Sequence, residues 1–368
     1  MLNKQLILLK QQGVRQYLSS KFRKFDFIIK LSKFYPKNQN IKWLSLKDKY
    51  KGQRVFLIGN GPSLNKTPLF LLKNENVMCF NRFHLMLERV NWTPNFYTIV
   101  DNLVLDDLLY EFDKVEENTE EVFIPAVHPH GDVFVNRVGE SSKVNWFRHK
   151  PFGSGFSKEL PYVIGGGTVI FEGFQILRHL GFSEIIIVGV DMNYQIHKSV
   201  KTITQNTNNI ESLSDDDPNH FDPRYFGKGK KYHQPEDYVI KNILGNLKRL
   251  SEIMDSLSIR IINAGYDSRV EYFSRQDIYD VLQFNDTDIK EIFEDCLKAK
   301  TSYSSLKDLM KKCVEINKDL YDVLEDKQNY VMTTEFGIKI VKKHVDTHVC
   351  YGPLQGKLYF VSRDNLKT

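Results

Sequence analysis

A chain of 368 residues, 41% hydrophobic, 26% charged and 12% aromatic, has the composition of an ordinary folded protein, which excludes a disordered, collagen-like or disulfide-scaffold chain. Its 51 basic and 46 acidic residues leave a net charge of +5, too small to indicate a nucleic-acid binder where no binding motif is recognisable. At about 150 residues per domain the length predicts two to three domains, or one large α/β unit with additions.

Residues 1–50 set Lys10, Arg15, Lys21, Arg23, Lys24, Lys30 and Lys33 among Leu, Ile, Phe and Tyr with almost no acids, which predicts a basic helical N-terminal segment. Residues 1–45 then suit weak contact with an anionic membrane surface, or a solvated helix whose apolar stripe packs on the main domain. Arg54–Ile58 reads as a strand running into the turn Gly59-Asn60-Gly61-Pro62-Ser63, and Thr67 as an N-cap before Pro68. Strands follow at Asn76–Phe80 and Phe96–Asp101. After an irregular stretch come a helix at Thr168–Leu180, a buried strand at Glu184–Val190, a long helix at Lys241–Leu257 and the β-branched run Ser258–Asn263. The alternation predicts a doubly wound, mostly parallel α/β sheet in a domain spanning 51–275. Residues 276–368 read as a small α+β appendage, helical over 277–326, with β-prone runs at Tyr330–Thr333, Ile338–Val341, His348–Tyr351 and Leu358–Val361.

Ligands of such sheets bind beyond the carboxyl ends of the strands, so polar strand ends are the first candidates. Gly59-Asn60-Gly61-Pro62-Ser63 is neither a dinucleotide fingerprint nor a P-loop, yet a glycine turn entering a helix offers backbone N–H groups to a phosphate; a plain strand-to-helix turn is the other reading. Asn60 reads there as an exposed polar residue of little consequence to the core. Gly165-Gly166-Gly167-Thr168 precedes a helix, and three glycines point to unusual torsions or close approach of a ligand, with a hinge as the alternative. Asp191, in Gly189-Val190-Asp191-Met192-Asn193-Tyr194, stands where a ribose, a sugar hydroxyl or a metal is held, or where loop N–H groups are capped. Asp215–Pro235, with His220 and His233, reads as an active-site loop or lid rather than a solvated loop. Lys228, Lys230 and Lys231 would there meet an anionic substrate, and a histidine suits removal of a hydroxyl proton. His128 with His130, and His344 with His348, lack a third ligand for a metal. The four cysteines, Cys79, Cys296, Cys313 and Cys350, form no disulfide or zinc pattern and fit a reducing cytoplasm. No run reaches the roughly 18 apolar residues of a membrane span, and the start lacks a cleavage site, so a cytoplasmic protein is expected, at most on the inner face of the membrane.

Val55–Leu64, Asn81-Arg82-Phe83, Gly165–Thr168, Leu180-Gly181-Phe182, Val188–Asp191 and Asp216–Phe221 with Tyr225–Gly229 together resemble the bacterial domain of unknown function 115, or MptE-like, family over about residues 45–275. That family in turn resembles the family 42 bacterial sialyltransferases. The resemblance implies a Rossmann-like fold and an inverting glycosyltransferase that takes a nonulosonate or related acidic sugar from a CMP-activated donor to a cell-surface glycan or glycolipid acceptor, with no obligatory metal. It implies donor contacts by Gly59, Asn60, Gly61, Ser63, Asn81, Asp101, Asn102, Gly166, Gly167, Thr168, Asp191 and Asn193. His233 aligns with the catalytic base and His220 competes for that role. Where those enzymes have a Tyr two residues past the strand-end Asp, this chain has Asn193 with Tyr194 beside it, so Tyr194 or Tyr225 is left to assist phosphate departure. The alternatives are an MptE-like pterin pyrophosphokinase using ATP and Mg²⁺, with Asp191 and Asp215–Asp217 as metal ligands, and a non-catalytic nucleotide-binding protein. A homo-oligomer is compatible with all three.

Overall fold

The computed structural model describes residues 18–19, 21–67, 69–90, 92–150, 155–157, 159–203 and 209–283, and the backbone of 348–354 and 357–362. In chain order its strands are β1 (Arg54–Ile58), β2 (Val77–Phe80), β3 (Phe96–Thr98), β4 (Glu121–Pro125), β5 (Val144–Lys150), β6 (Tyr162–Ile164), β7 (Glu184–Val188), β8 (Val200–Thr202), β9 (Asn209–Ser212), β10 (Lys231–His233), β11 (Arg260–Asn263), β12 (Ser274–Arg275), β13 (His348–Leu354) and β14 (Lys357–Ser362). The helices are α1 (21–34), α2 (Gln39–Leu46), α3 (Asn102–Leu108), α4 (Phe112–Glu117), α5 (Val135–Val138), α6 (Val169–Leu180), α7 (Asp237–Ser256) and α8 (Ile278–Leu282).

Nine strands make one sheet in the order β12-β11-β7-β1-β2-β3-β4-β5-β6, and every neighbouring pair is parallel. This is the expected doubly wound, Rossmann-like α/β architecture. The central strands are continuous apolar runs because both faces are covered. Along β1, Phe56 and Ile58 enter one core, with Leu105 and Leu108 of α3, while Val55 and Leu57 enter the other, with Phe174 of α6 and Leu247 of α7. Helix α7 follows from spacing, since Ile240, Ile243, Leu247, Leu250 and Met254 put one apolar stripe on the sheet. Helix α6 stops at Gly181, whose φ of +94° closes the last turn as a left-handed cap.

The stretch from 102 to 167 is not irregular: it holds α3, α4, β4, α5, β5 and β6. Thr67 is not an N-cap. It ends a short 3-10 helix, Pro62–Lys66, and its Oγ1 donates back to the Ser63 carbonyl at 3.2 Å. The N-terminal segment is tied to the sheet, for Trp43 is buried and its Nε1 donates to the Trp146 carbonyl at 2.8 Å. At the other end, Ile278, Val281 and Leu282 of α8 join the core beside α3. Of the C-terminal expectations, β13 and β14 form an antiparallel hairpin where His348–Tyr351 and Leu358–Val361 read as β-prone. Tyr330–Thr333, Ile338–Val341 and most of 277–326 lie outside the described residues, as do residues 1–17 of the basic segment.

Between β7 and α7 the chain builds a three-stranded antiparallel sheet, β10-β9-β8, where the sequence suggests a lid loop. Its connecting loop is anchored rather than solvated. Phe221 and Tyr225 are fully buried in the α3-side core. The acids of Asp215–Asp222 are spent on local donors: Asp222 holds Arg224, Asp215 accepts from Lys228 N, and Asp216 accepts from His197, Ser199 and Ser214.

Candidate active site

Strands β1 to β6 run outward in one direction, and the chain then returns to add β7 on the other side of β1. The topological switch point therefore lies between the carboxyl ends of β1 and β7, where the crevice of an open α/β sheet receives its ligand. Two adjoining hollows open there. The smaller, about 100 Å³, is lined by the turns after β1 and β7, and by the first residues of α6. The larger, about 560 Å³, extends toward the ends of β4 and β5 and under the β10 strand. Asn81, Thr168, Val169, Tyr194, Asn219, His220 and Tyr225 line both.

The two switch-point turns pack backbone to backbone, and this explains their glycines. A Cβ on Gly59 would stand 2.3 Å from the Gly189 carbonyl oxygen, and one on Gly61 would stand 2.3 Å from the Asp191 carboxylate. Their N–H groups are not offered to a phosphate: Gly59 N donates to Val188 O and Gly61 N to Gly189 O, both at 2.8 Å. Asp191 is likewise turned inward. Its carboxylate accepts from Ser63 N at 2.9 Å and from Ser63 Oγ, and burial pushes its carboxyl up from the usual range despite both bonds. Asp191 and Ser63 thus tie the loops together, and Ser63 lines neither hollow.

The Gly165–Gly167 run is explained position by position. A Cβ on Gly165 would press on His149, one on Gly166 would strike the Phe171 ring, and Gly167 has a φ of +87°. Gly166 and Asn102 line neither hollow, while Gly167 faces the larger one. What the run delivers is the start of α6. Thr168 makes no side-chain cap bond, and the first N–H groups of a helix lack intrahelical partners, so this N-terminus presents donors where the hollows meet.

Asn60 is not a dispensable exposed residue. Its Nδ2 donates to the Phe80 carbonyl and to the Tyr225 hydroxyl, each at 3.1 Å, while its Oδ1 is buried without a partner. Asn81 follows β2 with a φ of +53°, which Asn tolerates better than most side chains, and its Oδ1 is also buried and unpartnered. Asp101 caps α3, accepting from Leu103 N at 2.8 Å and Val104 N at 3.0 Å, and borders the larger hollow. Asn193 and Tyr194 sit at the mouth of the smaller one.

His220 is the best-oriented titratable group. Its Nδ1 donates to Asp217 Oδ2 at 2.8 Å, and its ring stacks on Tyr225 with centroids 3.8 Å apart, which leaves Nε2 for a substrate proton. Burial works against the Asp217 charge, but His220 and the N–H groups of Asn219 and Phe226 bring its carboxyl below the usual range. Burial pushes the Tyr225 phenol up, so it stays protonated. His233 stands exposed at the end of β10 on the rim of the larger hollow. Lys228, Lys230 and Lys231 line neither hollow, and no Lys or Arg is among the described lining residues.

Sequence reasoning missed two residues on the wall of the larger hollow, and set a third, His128, aside because it lacked partners for a metal. His149 ends β5 and Glu172 lies in the first turn of α6; both are buried, and His149 Nε2 donates to Glu172 Oε1 at 3.0 Å. His128, beside them in the lining, is held down to about 3 by burial and then by the neighbouring histidines His130, His149 and His233, so it is neutral. The signal was available: a glutamate inside the apolar run Val169–Leu180 has no place on a fully buried helix unless it meets a partner.

The carboxylates that a Mg²⁺-dependent reaction would use do not fit that role. Asp191, Asp215, Asp216 and Asp217 are each engaged by protein donors, and among the described residues no group of three or more His, Cys, Asp or Glu is placed to hold a metal ion.

The family model described as 6-hydroxymethylpterin diphosphokinase MptE-like matches residues 30–197, which contain β1 to β7 and both switch-point turns, so the MptE-like resemblance read from the motifs is borne out over that stretch. No curated protein sequence matches the chain. Among solved structures, the chain is similar to the sialyltransferase CstII from Campylobacter jejuni in complex with cytidine-5'-monophosphate, at 13% identity and a TM-score of 0.35, covering 61% of this chain and 85% of that one. It is similar to the monofunctional alpha-2,3-sialyltransferase Cst-I from Campylobacter jejuni at 13% identity and a TM-score of 0.39, covering 73% and 96%. It is also similar to the MAf glycosyltransferase from Magnetospirillum magneticum AMB-1 at 14% identity and a TM-score of 0.38, where 84% of this chain spans 53% of that one.

Proposed function

We propose that the protein is a sialyltransferase-like glycosyltransferase that moves a sugar from a CMP-activated donor to a saccharide acceptor by direct, inverting displacement. The observation that carries this reading is the meeting, at one switch point, of the open α6 N-terminus with the Asp217–His220 pair. In this reading the donor phosphate sits at the start of α6, where the helix dipole and free N–H groups meet its charge without a cation. The acceptor hydroxyl loses its proton to His220 Nε2 as its oxygen bonds to the anomeric carbon and the bond to phosphate breaks. Asp217 stays charged beside the imidazolium that forms, as an orienting carboxylate does in other histidine bases. His233, on the rim, is the second candidate for the base, and Tyr225 or Tyr194 would assist the departing phosphate. An acidic donor sugar would find neutral donors such as Thr168 and Asn219 for its carboxylate.

The diphosphokinase activity named for the matched family is the second reading, favoured by that match and opposed by the engaged carboxylates. Thermal unfolding with CMP, UDP and ATP, the last with and without Mg²⁺, separates the readings. A true ligand at about 100 times its Kd should raise the midpoint by roughly 5–10 °C. A shift with CMP is expected; a shift with ATP and Mg²⁺ alone would transfer the reading to the kinase, and no shift at all would leave neither standing.

The reading also places the protein at a membrane surface. On α1, Phe22, Phe25 and Ile29 are 73%, 62% and 49% exposed and share one face, while Phe27 turns inward to the core. At helical spacing Lys21 and Lys33 fall beside this outward stripe, and each basic residue near an anionic bilayer contributes about 1 kcal/mol. Co-sedimentation with phosphatidylcholine vesicles containing phosphatidylglycerol should therefore fall with added salt, and fall again when Phe22, Phe25 and Ile29 are replaced by Ser. Binding that ignores both changes, or its absence at low salt, would remove the membrane from the proposal. No helix among the described residues is long and apolar enough to cross a membrane.

A further inference from the structure

The reaction proposed above uses His220 and the α6 N-terminus, and leaves the far wall of the larger hollow without a role. That wall carries a buried pair of polar side chains that are only partly satisfied. His149 and Glu172 are 5% and 3% exposed, bonded to each other by one contact of 3.0 Å, and each retains one buried polar atom with no partner, His149 Nδ1 and Glu172 Oε2. A buried carboxylate oxygen and a buried imidazole nitrogen without partners are unfavourable unless something else supplies the missing bonds. Both residues line the hollow. The backbone makes room for them, since a Cβ on Gly165 would stand 2.8 Å from His149 Cε1 and 3.3 Å from Glu172 Oε1.

The Nε2–H···Oε1 bond to Glu172 fixes the His149 tautomer that keeps a lone pair on Nδ1, so Nδ1 and Glu172 Oε2 are both hydrogen-bond acceptors. We infer that His149 and Glu172 form an anchor for the second substrate, taking a ligand edge that presents two adjacent hydrogen-bond donors. Resting on the glycosyltransferase reading, that edge is the vicinal diol of a saccharide acceptor. The same chemistry is carried by the amino and ring N–H edge of a pterin, which the kinase reading would bring, so the two sources share one anchor. His128, neutral beside the pair, adds no competing positive charge.

The anchor is tested with Glu172→Gln, which keeps size and shape but replaces an acceptor oxygen by an NH₂ donor, and with Gly165→Ala, which crowds the pair without altering its chemistry. Binding of methyl β-galactoside, of 6-hydroxymethylpterin and of CMP is measured by calorimetry on the full chain, with thermal unfolding in parallel. The wild type should bind one of the first two probes. Glu172→Gln should weaken that probe by at least about tenfold while its unfolding midpoint holds or rises, because the amide oxygen can still accept from His149 Nε2 and a buried carboxylate with one oxygen unpartnered has been removed. Gly165→Ala should weaken the same probe, and in both variants the loss for that probe should exceed any change in CMP affinity. Unchanged probe affinity in Glu172→Gln, or failure of the wild type to bind either probe, would overturn the anchor. Binding of a probe without any binding of CMP would sink the donor reading and leave the anchor in place.

Discussion

Replacing His220 by Ala should lower sugar transfer by about 10²–10⁴-fold, the usual contribution of a positioned general base, while CMP affinity stays within about twofold. Affinity is spared because the phosphate is assigned to the start of α6 and the base acts on the acceptor. Asp217→Asn tests the same pair from behind. An amide in place of the carboxylate still reaches Nδ1 but can present its NH₂ there, which favours the wrong tautomer and withdraws the charge that stabilises the imidazolium. It should therefore reproduce most of the loss. His233→Ala should cost far less, since His233 stands exposed on the rim with no orienting carboxylate among its described contacts. Because His220 also stacks on Tyr225, each variant's unfolding midpoint is compared with the wild type, so that lost packing is not read as lost chemistry. A larger rate loss from His233→Ala than from His220→Ala would reassign the base, and full activity in both would exclude a histidine base.

How much of this was readable beforehand depended on how each residue is satisfied. β1, β7 and α6 appear within a residue or two of their sequence readings, because they are buried on all sides and their apolar runs admit no other element. The stretch 102–167 misled because α3 and α4 are too short for a helical period to develop, and β5 carries Asn145, Arg148 and His149 in an otherwise apolar strand. The Asp215–Tyr225 loop reads as an active-site loop or lid, and it does bring His220 to the hollows, but its acids are engaged by protein donors and Phe221 and Tyr225 go into the core, so it is anchored. The glycine positions were legible and their reason was not. Gly59 and Gly61 looked like a phosphate turn, whereas the space they lack is filled by a second loop, contributed about 130 residues later in the chain. His149 and Glu172 are 23 residues apart and meet only because β6 and the turn into α6 lie between them, a contact that no local pattern encodes.

The close approach of the switch-point turns leads to the largest expected effect on stability. In Gly59→Ala the new methyl would stand 2.3 Å from the Gly189 carbonyl oxygen and 2.8 Å from its carbon, both backbone atoms that cannot rotate away. Either β1 or β7 must shift, in the middle of a sheet whose strands are paired on both sides. Overpacking of a tight core costs about 1–3 kcal/mol even where side chains can yield, and a backbone clash belongs at or above the upper end. For a folded unit of this size that is a fall of roughly 6–12 °C in the unfolding midpoint. Gly61→Ala should be milder, since its clash is with the Asp191 side chain, but it should break the Ser63–Asp191 tie. Gly245→Ala supplies the opposite sign. Gly245 lies exposed within α7 with nothing within 4 Å of a Cβ, so the change removes only the helix penalty of glycine and should stabilise by up to about 1 kcal/mol. If Gly59→Ala and Gly245→Ala both left the midpoint unmoved, the packing of the two turns against each other would not be what fixes these glycines, and the phosphate-turn reading of Gly59–Gly61 would return.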